Sequence, residues 1–478
     1  MFFGREDLLE QLSSLWNKRV SSLVTCRGRR RIGKSTLIEH FASRSKARFL
    51  KIEGVRPDRK TTSIDELAAF AKQLSDQCGC ERTPPLDWSD AFRRLDREIR
   101  SGQKTVVLLD EVSWLAHMAD SFSADLKIAW DNLLKKHDRL ILVLCGSVSS
   151  WIRDNIIDNS AFMGRRSLDF VMKELPLREC VKFWGQAVER TPTREIFDVL
   201  SVTGGVPRYL EEIDPGLSAA ENIRKLAFLP KSVLRTDFDE MFMDVITERP
   251  KFSAQVLRAL ADGPKRATEI AQSLGVVKSG NITTALRQLE EAGFVAVEHG
   301  RNPETGEKIR DRRYRIRDNY TRFYLKHIEP VKDVVDDGSF AFVSLDQFEG
   351  WNVDMGLAFE NLVVNNYREI LPYLHLDRVL ITSASPYCRP SVQSTDGKGF
   401  QIDLLLQTRR SICIVEIRRR RHIGHDVVED VMDKCRRIAR PDDVSLKTAL
   451  VYEGELAPSV EADGYFDSIV PASWLLGM

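Results

Sequence analysis

The sequence predicts an α/β protein whose first part is a parallel sheet covered by helices. Three stretches carry this prediction. Residues 28–35 read Gly-Arg-Arg-Arg-Ile-Gly-Lys-Ser, between an apolar run at 21–27 and a helical run at 36–42. Residues 105–111 read Thr-Val-Val-Leu-Leu-Asp-Glu, an apolar run closed by two carboxylates. Residues 140–147 read Leu-Ile-Leu-Val-Leu-Cys-Gly-Ser, a second such run ending in small polar residues. Unbroken apolar runs of this length suit strands buried on both faces.

The first stretch fits a phosphate-binding loop, which calls for strand, loop and helix in that order. Gly28 and Gly33 let the backbone curl, so that its N–H groups face phosphate oxygens. Lys34 brings a point charge to the β/γ-phosphates, and the Ser35 hydroxyl suits Mg²⁺. Arg31 and Thr36 complete the nucleotide-binding set, and the dipole of the following helix also favours an anion. The second stretch puts Asp110 and Glu111 at the carboxyl end of a strand, where open α/β sheets bind ligands. Asp110 suits the Mg²⁺ shell, and Glu111 suits a general base that polarises the attacking water. Ser147 is placed to bond the γ-phosphate or that water, or to serve as a turn hydroxyl. Residues 3–6 open a Leu-rich helix, residues 48–53 read as a strand, and residues 68–77 and 90–100 read as helical.

Length and composition bound the remainder. A chain of 478 residues suggests roughly three domains. A net charge of +1 removes whole-molecule charge as an argument for nucleic acid, so local patches must carry it. The eight cysteines are scattered, which suits a reducing cytosol rather than a disulfide framework. No basic segment leads into an apolar core at the N-terminus, and the apolar run 140–145 is too short to span a bilayer. The expectation is a soluble cytoplasmic protein without a membrane partner.

Residues 168–177 read as the last strand of the sheet, and residues 178–200 as helical, with Phe183, Trp184, Phe197 and Leu200 inward. Gly204 and Gly205 suit a helix cap, and Pro207 a helix start. Arg165 and Arg166 suit either a charge-stabilising arginine, reaching a neighbouring subunit's γ-phosphate, or a solvated pair.

Between 250 and 330, helices at 252–260, 268–274 and 279–292 precede strands at 293–297 and 313–317. That order predicts a winged helix-turn-helix. In such a fold the third helix enters the major groove and the wing touches phosphate. Lys278, Ser279, Asn281, Thr283 and Arg287 would face outward on the third helix, with Lys308, Arg310 and Arg312 on the wing. This is a duplex footprint, although the same fold also serves as a packing module.

Residues 331–350, with Asp336-Asp337-Gly338, read as a linker. Beyond it come a helix at 356–367 containing Glu360, strands at 378–383, 401–406, 411–418 and 447–452, and a helix at 426–439.

The motifs together resemble the archaeal-type ATPases of the AAA+/STAND branch. The resemblance rests on Phe3-Gly4-Arg5-Glu6, the loop 28–35, Leu-Leu-Asp110-Glu111, Cys-Gly146-Ser147, Gly164-Arg165-Arg166 and Gly204-Gly-Val-Pro207. It implies a P-loop AAA+ core at 1–165, a helical lid at 166–245, the winged helix at 250–330 and an α/β restriction-endonuclease-like domain at 350–478. It also implies that Pro207 packs against adenine. Asp403, a hairpin and then Glu416-Ile-Arg418 resemble the PD-(D/E)xK nuclease core, with Glu360 as a third carboxylate. Mg²⁺ suits that oxygen set. Arg418 stands where the pattern has lysine, and arginine does not readily carry a proton. Lys434 on the following helix is a candidate substitute, and a domain that keeps the fold without cleavage is the alternative. The functional expectation is an ATP- and Mg²⁺-dependent, homo-oligomeric ATPase that binds double-stranded DNA. The alternative is a nucleotide-dependent signalling switch with little DNA contact.

Overall fold

The computed structural model describes the chain except residues 1, 19, 59, 101, 148–149, 246–249, 277–279, 311, 339, 341–343 and 390–398, and the side chains of 150, 243–245 and 346. Lys278 and Ser279 therefore lie outside the described residues. The chain forms two compact units, Met1–Glu174 with Glu291–Gly293, and Leu175–Glu290 with Phe294–Met478. Among the described residues no helix is long and apolar enough to cross a membrane.

In the first unit, α1 (Glu6–Leu15) leads to β1 (Ser22–Gly28), α2 (Lys34–Arg44) and β2 (Arg48–Glu53). Helices α3 (Ser63–Cys78) and α4 (Trp88–Glu98) precede β3 (Thr105–Asp110). Then come α5 (Val112–Leu115), α6 (Phe122–Asn132), β4 (Leu140–Gly146) and β5 (Arg166–Met172). The sheet runs β2-β3-β4-β1-β5 with every pairing parallel. Alternation along the strands explains the unbroken apolar runs. Val107, Leu109, Leu142 and Leu144 pack with α3, α4 and α6, whereas Val106, Leu108, Ile141 and Val143 pack with α1 and α2. Parallel register brings the carboxyl ends of β1, β2, β3 and β4 to one edge, with Arg27 opposite Gly146 and Glu53 opposite Asp110.

Gly54, just past β2, shows how tight that edge is. A Cβ there would lie 2.8 Å from the Glu111 carbonyl oxygen and from the Leu115 nitrogen. Only a residue without a side chain lets β2 leave the sheet beneath α5.

The second unit does not break into separate bodies at the expected domain boundaries. Helix α7 (Thr193–Thr203), from the expected lid, shares one core with α14 (Trp351–Asn365) and the C-terminal strands, which are introduced below. Phe197 meets Phe359 edge to face at 5.1 Å. Helix α8 (Ala219–Ala227) and helix α9 (Val233–Val245) follow α7. Next come α10 (Pro250–Leu260), β6 (Lys265–Arg266), α11 (Ala267–Ser273), α12 (Gly280–Glu291), β7 (Val295–Glu298) and β8 (Arg313–Ile316). The three strands form a small antiparallel sheet in the order β6-β8-β7. Helix α13 (Asn319–Phe323) then leads toward α14.

The segment 331–350, expected as a linker, is packed. It carries the short helix Lys332–Asp336, Arg235 donates to both Asp336 carboxylate oxygens, and Phe340 stacks on Phe228 at 4.9 Å. The aromatic residues outweigh the acidic turn that suggested a linker.

After α14 come β9 (Ser383–Arg389), β10 (Phe400–Gln407), β11 (Ser411–Ile423), α15 (Asp426–Arg437), β12 (Ser445–Leu456) and β13 (Ser468–Pro471). Their order is β13-β12-β11-β10-β9. Pairings of β10 with β9 and β11 are antiparallel, and those of β12 with β11 and β13 are parallel. The strand expected at 378–383 begins instead at Ser383, because its partner β10 ends at Gln407, opposite Ser383.

Buried Glu66 on α3 accepts a hydrogen bond from the Val55 backbone N–H at 3.1 Å. Burial pushes its carboxyl up to about 7, from an ordinary value near 4.5. The folded chain therefore holds this proton more tightly than the unfolded chain, and stability is lost as pH rises from about 4.5 through about 7. Glu66→Gln has no such proton to lose. Thermal unfolding at pH 5 and pH 8 should show the melting temperature of the variant gaining on the parent as pH rises.

Candidate functional site

The loop 28–33 joins β1 to α2 with its two glycines in different roles. A Cβ at Gly28 would lie 2.6 Å from the Met172 carbonyl oxygen of β5. Gly33 has open space around it but adopts φ 86°, a left-handed conformation that a side chain disfavours. One glycine is needed for close approach and the other for backbone direction.

Lys34 is buried, and its Nζ donates to the carbonyl oxygens of Gly28 (3.1 Å) and Arg29 (3.2 Å). The ammonium is thus held at the centre of the loop's curl. Ser35 Oγ donates to Asp110 Oδ2 at 2.5 Å, across 75 positions of sequence. Asp110 is buried, and its Oδ1 accepts the Glu111 backbone N–H at 3.1 Å. Glu111 has φ 47°, left-handed backbone at a non-glycine residue, stabilised by its place at the start of α5. Its Oε2 accepts from the Ser147 hydroxyl (3.0 Å) and the Ser147 backbone N–H (3.3 Å). The structure therefore joins Lys34, Ser35, Asp110, Glu111 and Ser147 at one sheet edge. Their donor types fit a Mg²⁺-bound triphosphate: an ammonium, a hydroxyl and a carboxylate side by side, with a second carboxylate set toward a polar hydroxyl.

The remaining predicted residues sit as follows. Arg31 occupies the loop with φ 66°, and Thr36 is exposed on the first turn of α2. Arg165 donates from Nε and Nη2 to both Asp131 oxygens, at 2.8 and 2.9 Å. That bidentate pairing, with Lys127 adding to it, holds Asp131 well below the usual carboxylate range. Arg166 Nη2 donates to the Ile157 carbonyl at 3.1 Å. Both arginines thus have partners within their own unit. Pro207 starts the short helix Pro207–Leu210, while Gly204 caps α7 in a left-handed conformation.

Lys51 is a neighbour that the sequence reading missed. On β2, its Nζ lies 3.5 Å from Asp110 Oδ2, 3.5 Å from Glu39 and 3.4 Å from Glu53. Burial works against its charge, but the three carboxylates outweigh that and raise its pKa. No local signal marks it: β2 reads Arg-Phe-Leu-Lys-Ile-Glu, and Asp110 lies on the neighbouring strand.

Residues 2–213 match the model of an ATPase domain found predominantly in Archaea. Over that stretch the chain is similar to archaeal-type ATPase domains. An uncharacterised protein of Methanocaldococcus jannaschii is 24% identical over 365 residues, 76% of this chain and 76% of that protein. An uncharacterised ATP-binding protein of the same organism is 40% identical over 52 residues, 11% of this chain and 88% of its own length. A Walker-type ATPase of Pyrococcus abyssi shares the fold, with a TM-score of 0.50 and 18% identity over 68% of this chain and 96% of its own.

A second polar cluster lies in the C-terminal sheet of the other unit. Asp403 on β10 accepts the Ile417 backbone N–H at 2.9 Å, at the point where the register of β10 against β9 shifts. Glu416 on β11 is fully buried and accepts from Lys434 Nζ of α15 at 3.0 and 2.8 Å. Arg418 reaches Asp403 (3.4 Å), Asp430 (2.8 Å) and Glu416. Burial and the charge of Asp403 push Glu416 up to about 7 and Glu360 up to about 8. The structure thus brings Asp403, Glu416, Arg418 and Lys434 together, with Glu360 within electrostatic reach.

Three open metal ligands, as expected for Glu360, Asp403 and Glu416, are not what it shows. Among the described residues no three His, Cys, Asp or Glu side chains group at metal-binding spacing. Two basic side chains hold Glu416 instead. An acidic pair alone still suits Mg²⁺, which commonly takes one or two carboxylates plus substrate oxygens.

For the ATPase domain, Lys34→Ala should abolish ATP binding. Glu111→Gln should keep binding while hydrolysis falls by ~10²–10⁴. Equilibrium binding of a fluorescent ATP analogue and steady-state phosphate release check the two separately.

Proposed function

We propose that the chain is an oligomeric, DNA-associated ATPase whose second unit carries a nuclease-like site. The observation that carries this reading is the pairing of two assemblies in one chain. A loop, hydroxyl and two carboxylates suit ATP·Mg²⁺, and an aspartate and a glutamate on adjacent strands of a mixed sheet converge with a lysine from the following helix.

DNA contact is assigned to the winged-helix portion. Asn281, Thr283 and Arg287 are exposed on α12, and Lys308, Arg310 and Arg312 are exposed on the hairpin. Polar helix residues beside a basic hairpin match a duplex footprint. In the nuclease-like site, Asp403 and Glu416 would hold a divalent cation, which supplies an activated water and charge stabilisation. Lys434 offers the ammonium that the Glu416-Ile-Arg418 motif lacks, and Arg418 offers a fixed positive charge for phosphate. In the oligomer, Arg165 or Arg166 would leave its present partner to reach a neighbouring nucleotide, and Pro207 would face adenine.

A signalling switch with an inactive nuclease fold is the second reading. The saturation of Glu416 by Lys434 and Arg418 favours it.

Steady-state hydrolysis with and without duplex separates the two. Stimulation by duplex is expected, and slow turnover that duplex leaves unchanged would support the switch. Replacing both Arg310 and Arg312 by Ser should lower the slope of log affinity against log salt by about 2. Nicking of plasmid with Mn²⁺ should vanish in Asp403→Asn, and equal nicking by parent and variant would remove the nuclease assignment.

A further inference from the structure

Lys51 lies on β2, the edge strand of the first sheet, yet its backbone is held on both sides. Gln77 of α3 accepts from its N–H at 2.9 Å and donates to its carbonyl oxygen at 2.7 Å. Gln73, one turn earlier, does the same for Glu53 at 2.8 Å each way. The two glutamine amides stand in for a neighbouring strand, so that motion of Lys51 is confined to its side chain.

That side chain sits among three carboxylates, with Asp110 and Glu39 at 3.5 Å and Glu53 at 3.4 Å. The three are not equivalent. Asp110 is buried, its Oδ1 accepts the Glu111 N–H, and its Oδ2 is shared by the Ser35 hydroxyl and the Lys51 ammonium. Glu39 and Glu53 are exposed. Ser35 and Asp110 are the oxygen donors that suit Mg²⁺ in the nucleotide site. An ammonium has three donors and no acceptor, so Lys51 cannot join them as a ligand. It can only compete, because it is attracted to the same oxygen and repelled by a dication beside it.

We propose that Lys51 is a positioning residue that sets how readily the nucleotide site accepts a divalent cation: its ammonium competes for Asp110 Oδ2 and yields that oxygen by shifting onto Glu39 and Glu53. The proposal rests on the reading of this sheet edge as an ATP·Mg²⁺ site. Glu39 on α2 and Glu53 two residues along β2 keep the shifted ammonium paired, so no charge is left stranded when it leaves Asp110. With Lys51 present, the site takes up the cation less tightly and gives it up more readily than its oxygens alone would.

Mg²⁺ titration of the full chain with a fluorescent, non-hydrolysable ATP analogue tests this, because it reads bound nucleotide rather than turnover. Lys51→Met should reach half-maximal binding at about tenfold lower Mg²⁺ than the parent. Lys51→Arg keeps the charge and should follow the parent. A lysine that only supported the strand would weaken binding on removal, which is the opposite sign. An unchanged or higher Mg²⁺ requirement in Lys51→Met overturns the proposal, as does an equal fall in Lys51→Arg. Asp110→Asn separates this failure from that of the site itself. It should raise the Mg²⁺ requirement, and if it leaves the requirement unchanged, the metal assignment falls and the role of Lys51 with it.

Discussion

The bond from Ser35 to Asp110 is the contact on which the first unit turns. It joins the first turn of α2 to the end of β3, so it exists only if β1 and β3 end at the same edge. That condition is set by parallel pairing through β4, which buries apolar side chains on both sheet faces. A one-residue slip of β3 would send Asp110 to the opposite face and break the contact. The chemistry at the edge is therefore as secure as the packing beneath it. The left-handed backbone of Glu111 is tolerated because β3, Gly54 and α5 leave the chain no other course.

In the second unit a different constraint dominates. Helix α7 has no independent core. Its inner face packs with the face of the C-terminal sheet that also packs against α14. Strand alternation then ties structure to charge. Arg418 faces Asp403, Glu416 and Asp430, whereas the next residue, Arg419, pairs with Asp198 of α7 at 2.5 Å and with Glu453 at 3.2 Å. Neighbouring arginines thus serve the polar cluster on one side and the helical layer on the other. Removing either partner would leave a buried charge unpaired, which is why such pairs resist substitution even when their net contribution to stability is small.

The nucleotide edge was largely legible because its signals are local. Loop, strand and helix lie within about twenty residues, and the two apolar runs announce buried strands by composition alone. The strands at 48–53 and 105–110 appear where periodicity put them. Legibility failed where partners are distant. Lys51 looks like an ordinary strand lysine until β2 lies beside β3. The start of β9 is set by Gln407 on another strand, and local apolar content pointed several residues too early. The segment 331–350 reads as a linker because its acidic turn is conspicuous, while the partners of its phenylalanines lie far away in sequence.

By itself, the sequence determined where the glycine-rich loop lies, where buried strands run, and that an aspartate and a glutamate fall on successive C-terminal strands. These follow from local backbone needs and from two- and 3.6-residue periodicities, which need no knowledge of partners. Tertiary structure alone decided that Lys434 meets Glu416, that Arg165 is held by Asp131, and that Lys51 stands beside Asp110. Each depends on the distance between groups far apart in the chain, and charge interactions are decided by that distance and by burial.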